Sequence, residues 1–324
     1  MELRLRPQGP SRLGWITALC NCPSRGSLVT SAAVGFALVR LGLPIMLGGM
    51  ELPLEDALVD MVGKAQRGLG LSDEVVARRA AVALEDWIAL KSGESVDSKV
   101  LQAVAAVLGL HAPSLAAIAA GSWRPLPVDL DGLAQFTTTF GDMTVNAYVI
   151  WDPASGEAAA FDTGATAEPM LTFLRGRGLK LRVLFLTHTH PDHVADIAAL
   201  SAPEVWVSAR EPHEAARSFE PGHSWRIGAL SIESRSTWGH SRGGTTFVVK
   251  GLAQPVAVVG DALFAGSMGG GGVSFAEALG TNRREIFSLP GHTVIAPGHG
   301  PLTTVGEERL HNPFYPEFKG QPSS

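Results

Sequence analysis

The spacing of apolar side chains divides the chain into two textures. Between residues 51 and 121 they recur every three or four positions. Leu54, Ala57, Leu58, Met61 and Val62 share one helical face, and Val75, Val76 and Ala80 share another. Ser72 ahead of Asp73-Glu74 is a helix start, with a capping hydroxyl and acids in the first turn. Leu84 opens a further helix closed near Gly93, Lys99 to Leu108 is ended by Gly109, and Ser114 to Ala120 is followed by Gly121. Pro125 and Pro127 then mark a linker, after which the period falls to two. Strands are expected over Leu133–Phe140, Thr144–Asp152 and Glu157–Phe161, then a helix over Glu168–Arg177 and a strand over Leu181–Leu186. A helix near Val194–Leu200 and a strand over Glu204–Ser208 follow. Three strands (Leu230–Ser234, Thr245–Val249, Val256–Val259), a helix over Phe275–Phe287 and a strand over Thr293–Ala296 complete the pattern. Strands grouped around intervening helices predict an α/β fold with mixed sheets. The expected division is a helical bundle over 50–124 and an α/β domain over 125–324.

Residues 1–49 have a different character, with five Arg, one Glu and no Lys. Of the net charge of −5, this stretch contributes +4 and the remainder −9. Leu28 to Met50 is apolar, but Arg40 interrupts it, and an Arg at mid-membrane costs about 3 kcal/mol. No stable membrane partner is expected. Residues 1–49 read as a poorly structured or upstream extension with Met50 as the natural start; an export signal is the alternative. Apolar residues make up 45% and charged residues 18%, which supplies a sizeable core and excludes a disordered chain. The acidic balance argues against a nucleic-acid partner. Cys20 and Cys22 are the two cysteines, too few for a disulfide framework, and a cytoplasmic setting is expected. Any metal in the main body must be held by His and carboxylate.

Such ligands are concentrated after the strand Val183-Leu184-Phe185-Leu186, in Thr187-His188-Thr189-His190-Pro191-Asp192-His193. His188 and His190 project to one side of a strand end, and the turn at Pro191 lets Asp192 and His193 face a second point. One loop can thus serve two adjacent metals. Imidazole and carboxylate suit zinc, iron or manganese. Further ligands stand at other strand ends: His240 in Trp238-Gly239-His240-Ser241, Asp261 after Val256–Gly260, and His299 in Pro297-Gly298-His299-Gly300. In each a glycine allows close backbone approach.

The series His188, His190, Asp192, His193, His240, Asp261 and His299 resembles the metallo-β-lactamase superfamily, and Asp162 in Phe161-Asp162-Thr163-Gly164 matches that family's first motif. The resemblance spans about residues 132–318 and implies a four-layer αββα sandwich with metals at the sheet edges. By motif position His188, His190 and His240 bind one metal, Asp192, His193 and His299 a second, and Asp261 bridges. Asp162 would steady the ligands from behind. The ligand gaps of 47, 21 and 38 residues after His193, with Glu307-Glu308 and Asn312-Pro313-Phe314 near the end, are similar to the hydroxyacylglutathione hydrolase (glyoxalase II) branch. Two departures stand out. No long C-terminal helical extension follows His299, and the basic residue common after the glycine turn is replaced by Met268-Gly269-Gly270-Gly271-Gly272.

The resemblance implies two divalent ions, zinc first and iron or manganese as alternatives. Metal-bound hydroxide would cleave a small-molecule thioester, ester or lactone, with Asp192 and Asp261 as the catalytic carboxylates. Gly269 and Gly270 are expected to form a mobile rim over the substrate. No further Glu or Tyr stands out near the motifs; the tyrosines are Tyr148 and Tyr315. A mononuclear-iron persulfide dioxygenase, with the iron on His188, His240 and Asp261, shares the same motif. The helices over 71–110 resemble a lambda-repressor-like helix-turn-helix domain, which would make the chain a DNA-binding regulator. Against that reading, residues 51–121 hold ten acids and six bases, and the would-be recognition helix carries Glu85 and Asp86 against Lys91. The helical region therefore reads as structural or dimerising, compatible with a homodimer.

Overall fold

The computed structural model describes residues 52–319. Cys20, Cys22, Leu28–Met50 and Met50 itself lie outside the described residues. Among the described residues no helix is long and apolar enough to cross a membrane.

Five helices come first: α1 Leu58–Gly68, α2 Asp73–Ala80, α3 Leu84–Ser92, α4 Ser98–Leu108 and α5 Ala112–Ala119. Ser72 caps α2 by accepting the Val75 N–H, and Asp97 caps α4 by accepting those of Lys99 and Val100. The periodic stretch from residue 51 is helical only from Leu58; residues 52–57 run irregularly, held in place by contacts described below. Trp87 lies fully buried in the middle of α3, while Glu85 and Asp86 are exposed.

The α/β part runs β1 Leu133–Phe140, β2 Met143–Trp151, β3 Glu157–Phe161, α6 Glu168–Arg177, β4 Lys180–Phe185, α7 Pro191–Val194, α8 Ile197–Leu200, β5 Val205–Ser208 and β6 Arg217–Phe219. It continues with β7 Ser224–Ile227, β8 Leu230–Ser236, β9 Thr245–Lys250, β10 Val256–Gly260, α9 Phe275–Thr281 passing into a π-helical turn Asn282–Ile286, β11 Val294–Pro297, β12 Thr303–Thr304 and α10 Val305–His311. Two six-stranded mixed sheets result, ordered β1-β2-β3-β4-β5-β6 and β12-β11-β10-β9-β8-β7.

Three apolar layers hold them. Tyr148, Ile150, Phe161, Phe185, Ile232, Phe247 and Val258 fill the space between the sheets. Met170 and Leu174 of α6 cover the outer face of the first sheet. The outer face of the second sheet shares one core with α1–α5: Met61, Val62, Trp87, Leu115 and Ile118 join Val248, Leu263, Ile295 and Tyr315. Trp123 stacks on His311 at 4.9 Å, and the His111 N–H donates to the Pro313 carbonyl.

Some expectations need correction. The helix placed over Val194–Leu200 is two short pieces, because Asp196 is drawn out of helical geometry. Its N–H donates to Thr163 Oγ1, and its carboxylate accepts the Ala167 N–H at 2.9 Å. The segments β6, β7, β12 and α10 carry too few apolar residues to signal themselves. The helix over Phe275–Phe287 widens to π geometry where Asn282 is buried and donates to the Ala262 carbonyl and Tyr315 hydroxyl.

Candidate metal centre

Parallel pairing delivers the ligands to one edge. β4 runs parallel to β3 and β5, so the Thr187–His193 loop emerges at the same end as Asp162 after β3. In the other sheet β10 and β11 run parallel and carry Asp261 and His299 out together. His240 sits in the turn from β8 to β9. A Cβ on Gly298 would collide with the Asp261 carboxylate, so a side chain there would close the site.

The seven side chains form two adjoining groups. His190 Nδ1 lies 3.0 Å from His188 Nε2 and 3.1 Å from His240 Nε2, and Asp261 Oδ2 is 3.3 Å from His240 Nε2. Asp192 Oδ2 lies 3.5 Å from both His193 Nε2 and His299 Nε2. Asp261 faces both groups, with Oδ1 3.3 Å from His193 Nε2 and Oδ2 3.4 Å from His299 Nε2. Within each group the ligand atoms lie within 4.8 Å of one another. His193 Nε2 and Asp261 Oδ1 are buried without a hydrogen-bond partner, both turned into the cluster. Buried polar atoms left unpaired are costly, and a cation held between them resolves the cost.

The outer nitrogens fix how the rings are presented. His193 Nδ1 donates to Asp162 Oδ2 at 2.8 Å, His240 Nδ1 to the Gly270 carbonyl at 2.9 Å, and His299 Nδ1 to the Thr144 carbonyl at 2.5 Å. Each bond holds Nδ1 outward and turns Nε2 to the cluster, the presentation a metal needs. Asp162 also accepts the Thr187 N–H and hydroxyl, both at 2.7 Å. It does so from a left-handed backbone, φ 56°, which Asp tolerates.

The electrostatics follow burial. Burial and the charge of His193 hold His188 well below the ordinary imidazole range, and burial lowers His240. Burial would also lower His193 and His299. For His193 it is outweighed by Asp261 and Asp162, and the ring is raised well above its ordinary range; for His299 hydrogen bonding to Asp261 lifts it to about 9. Burial opposes ionisation of Asp261, but His193 and His299 overcome it and hold the carboxyl well below the usual range.

An open cavity of about 440 Å³ adjoins the cluster, lined by His190, Glu211, His240, Ser241, Arg242, Gly272 and Val273. Glu211 is occupied by the Thr189 N–H and hydroxyl and the Gly243 N–H. Gly269 is buried, and Gly270 turns its carbonyl onto His240. Of the glycine run, Gly272 lines the cavity. Thr187, Glu211 and the Thr144 carbonyl carry no motif that sequence reading could have found. Glu55 is the clearest addition. Its backbone packs on Gly300, next to His299. Its carboxyl is raised by burial, with His299 opposing and Asp56 adding to the rise.

The sequence model of the metallo-beta-lactamase superfamily matches residues 140–299, a span that holds every member of the cluster and excludes α1–α5. A probable metallo-hydrolase of Streptococcus pyogenes is 28% identical over 185 residues, 48% of this chain and 79% of that one. The hydroxyacylglutathione hydrolase GloC of Haemophilus influenzae is 29% identical over 197 residues, 52% of this chain and 92% of that one. The mitochondrial persulfide dioxygenase ETHE1 of Mus musculus is 31% identical over 180 residues, 51% of this chain and 69% of that one.

Proposed function

The chain belongs to the metallo-β-lactamase superfamily, and from that premise we propose that it is a hydrolase acting on a thioester, or a related ester or lactone, with a pair of divalent metal ions. One observation carries this reading: the Asp261 carboxylate lies between the two groups of ligand atoms, with Oδ1 beside His193 and Oδ2 between His240 and His299. A carboxylate shared in this way suits two neighbouring ions rather than one. In this reading His188, His190 and His240 hold the first, Asp192, His193 and His299 the second, and Asp261 both. An all-imidazole and carboxylate set without thiolate fits zinc, with iron and manganese next. When bound, such ions lower the pKa of a water from 15.7 to about 7 and polarise a carbonyl oxygen.

The chain's own residues do the rest. Asp162 and the Gly270 and Thr144 carbonyls keep the imidazoles aimed inward. The cavity beside His190 and His240 admits the scissile group, with Arg242 exposed at its margin. A thiolate leaving group needs little protonation, and Glu55 is a carboxyl beside His299 able to hold a proton where an alkoxide leaves.

Metal content of the purified protein, measured with turnover of S-lactoylglutathione, an acyl-homoserine lactone, a β-lactam and glutathione persulfide, tests the proposal. The expected result is two metal equivalents and hydrolysis of a carbonyl substrate, lost on chelation and restored by zinc. Protein that stays metal-free and inert overturns it. Similarity to a persulfide dioxygenase supports a second reading. A single iron with thiol-dependent oxygen uptake would establish that reading in place of hydrolysis.

A further inference from the structure

The helical region reaches the metal centre through one ion pair. Lys64 of α1 places Nζ 2.5 Å from Asp56 Oδ2 and donates to the Met268 carbonyl at 3.0 Å. The Ser267 hydroxyl donates to the same Asp56 oxygen at 2.5 Å. Both charged side chains are nearly enclosed, 15% and 6% exposed. They grip a short strap, Ser267–Gly270, that Asn312 also holds by donating to the Ser267 carbonyl at 2.8 Å. The far end of the strap is the Gly270 carbonyl that accepts from His240 Nδ1.

Between the two ends there is no slack. A Cβ on Gly269 would collide with the Asp261 carbonyl oxygen and stand 2.9 Å from His240 Nδ1. A second route runs in parallel: Lys64 Nζ lies 5.1 Å from the Phe264 ring centroid, and Phe264 meets His299 edge-on at 5.6 Å. Close-packed groups of this kind transmit displacement instead of absorbing it.

We propose that Lys64 and Asp56 are positioning residues of the metal centre: from the helical region they fix the strap whose last carbonyl sets the tautomer and aim of His240. The proposal rests on the reading that His240 holds a metal. It gives the N-terminal helices a part in the site itself, although they lie outside the matched family span.

The alternative is a clamp that only docks the helices, and zinc affinity separates the two. Removing a group that orients a ligating imidazole lowers metal affinity by about 10–100-fold. Lys64 acts through the strap, so the low end applies. Apo-protein is titrated with zinc against a chromophoric chelator well below its thermal transition. Lys64→Met is expected to bind the more weakly held equivalent about tenfold less tightly and to lower kcat with little change in KM. Lys64→Arg, which keeps the charge, should recover much of the loss. Replacing one partner of a buried pair leaves an unpaired charge that can block folding. The double variant Asp56→Asn/Lys64→Met removes both charges and is expected to show the same weakening.

Trp87→Phe is the control. Trp87 is fully buried among the helices, and its indole N–H donates to Asp73 rather than to the strap. It should lower Tm and leave zinc affinity unchanged. The proposal falls if Lys64→Met and the double variant bind zinc within twofold of the parent, or if Trp87→Phe weakens binding equally. A parent protein that takes up no zinc defeats the proposed function instead.

Discussion

The two sheets supply the metal centre in different ways. The first sheet sends four ligand-type residues from one loop, His188 to His193. Asp162, a buried carboxylate that accepts three hydrogen bonds, braces that loop. The second sheet sends His240, Asp261 and His299 singly, from three turns, and main-chain carbonyls brace the two imidazoles, Gly270 for His240 and Thr144 of the facing sheet for His299. The loop side thus depends on one buried carboxyl side chain, while the second side depends on backbone placement and on whatever holds that backbone. Damage to the first is a point mutation, and damage to the second comes through packing.

Asp261 is where the contrast should disappear, since it faces both groups. Asp261→Ala is expected to lose both metal equivalents and about 10³-fold in kcat/KM, the size of several kcal/mol of lost charge stabilisation. His240→Ala should lose one equivalent. Metal analysis of the two variants side by side checks this; an Asp261→Ala protein that keeps one ion at parental affinity would mean the groups do not share the carboxylate.

The loop side should respond to a smaller change. Asp162→Asn keeps a side chain that tolerates the left-handed backbone, so the fold is preserved while the charge behind His193 is lost. One equivalent should bind about 10–100-fold more weakly and the other as before. Equal weakening of both, seen by stepwise zinc titration, would mean that Asp162 acts on the whole Thr187–His193 loop rather than on His193.

The same contrast explains what could be read from sequence. The loop from Thr187 to His193 is contiguous, so strand alternation and one proline already arrange its ligands. His240, Asp261 and His299 were legible more narrowly, each as a ligand-type residue in a glycine-flanked turn after an apolar strand. Of the bracing, Asp162 was legible through its motif, and the rest was not. Lys64 meets Met268 across 204 residues of chain, and only the packing of α1 on the second sheet brings them together. Glu55 escaped for the same reason. The close contact of Gly269 with the Asp261 carbonyl was not legible, because a glycine needed for close contact and a glycine left loose have the same letter. The strand β6 is short and polar, β7 alternates over only four residues, and α10 opens with Val305-Gly306-Glu307-Glu308, so none shows a sustained period. Asp196 splits its helix through hydrogen bonds to Thr163 and Ala167, partners about thirty residues away.

The smallest effect is expected from Glu308, the titratable support on the second-sheet side. It is fully buried in α10 and accepts from the Gly266 N–H, Asn312 Nδ2 and Thr303 Oγ1, so it holds the chain entering the strap. Burial pushes its carboxyl up to about 7, although those hydrogen bonds oppose the rise. An acid raised from about 4.5 to about 7 on folding binds its proton more tightly in the native state. Its contribution is therefore complete below about pH 4.5 and disappears as pH rises through 7. Glu308→Gln is neutral at every pH and lacks this loss. Measured by urea unfolding in one metal state, the stability difference between variant and parent should move in the variant's favour by about 2–3 kcal/mol from pH 5 to pH 8, with metal affinity the least changed of the variants. A difference that stays constant over that range would mean Glu308 is ionised throughout. The backbone entering the strap would then be braced by a fixed charge, as Asp162 braces the loop, and the contrast between the two sides would narrow.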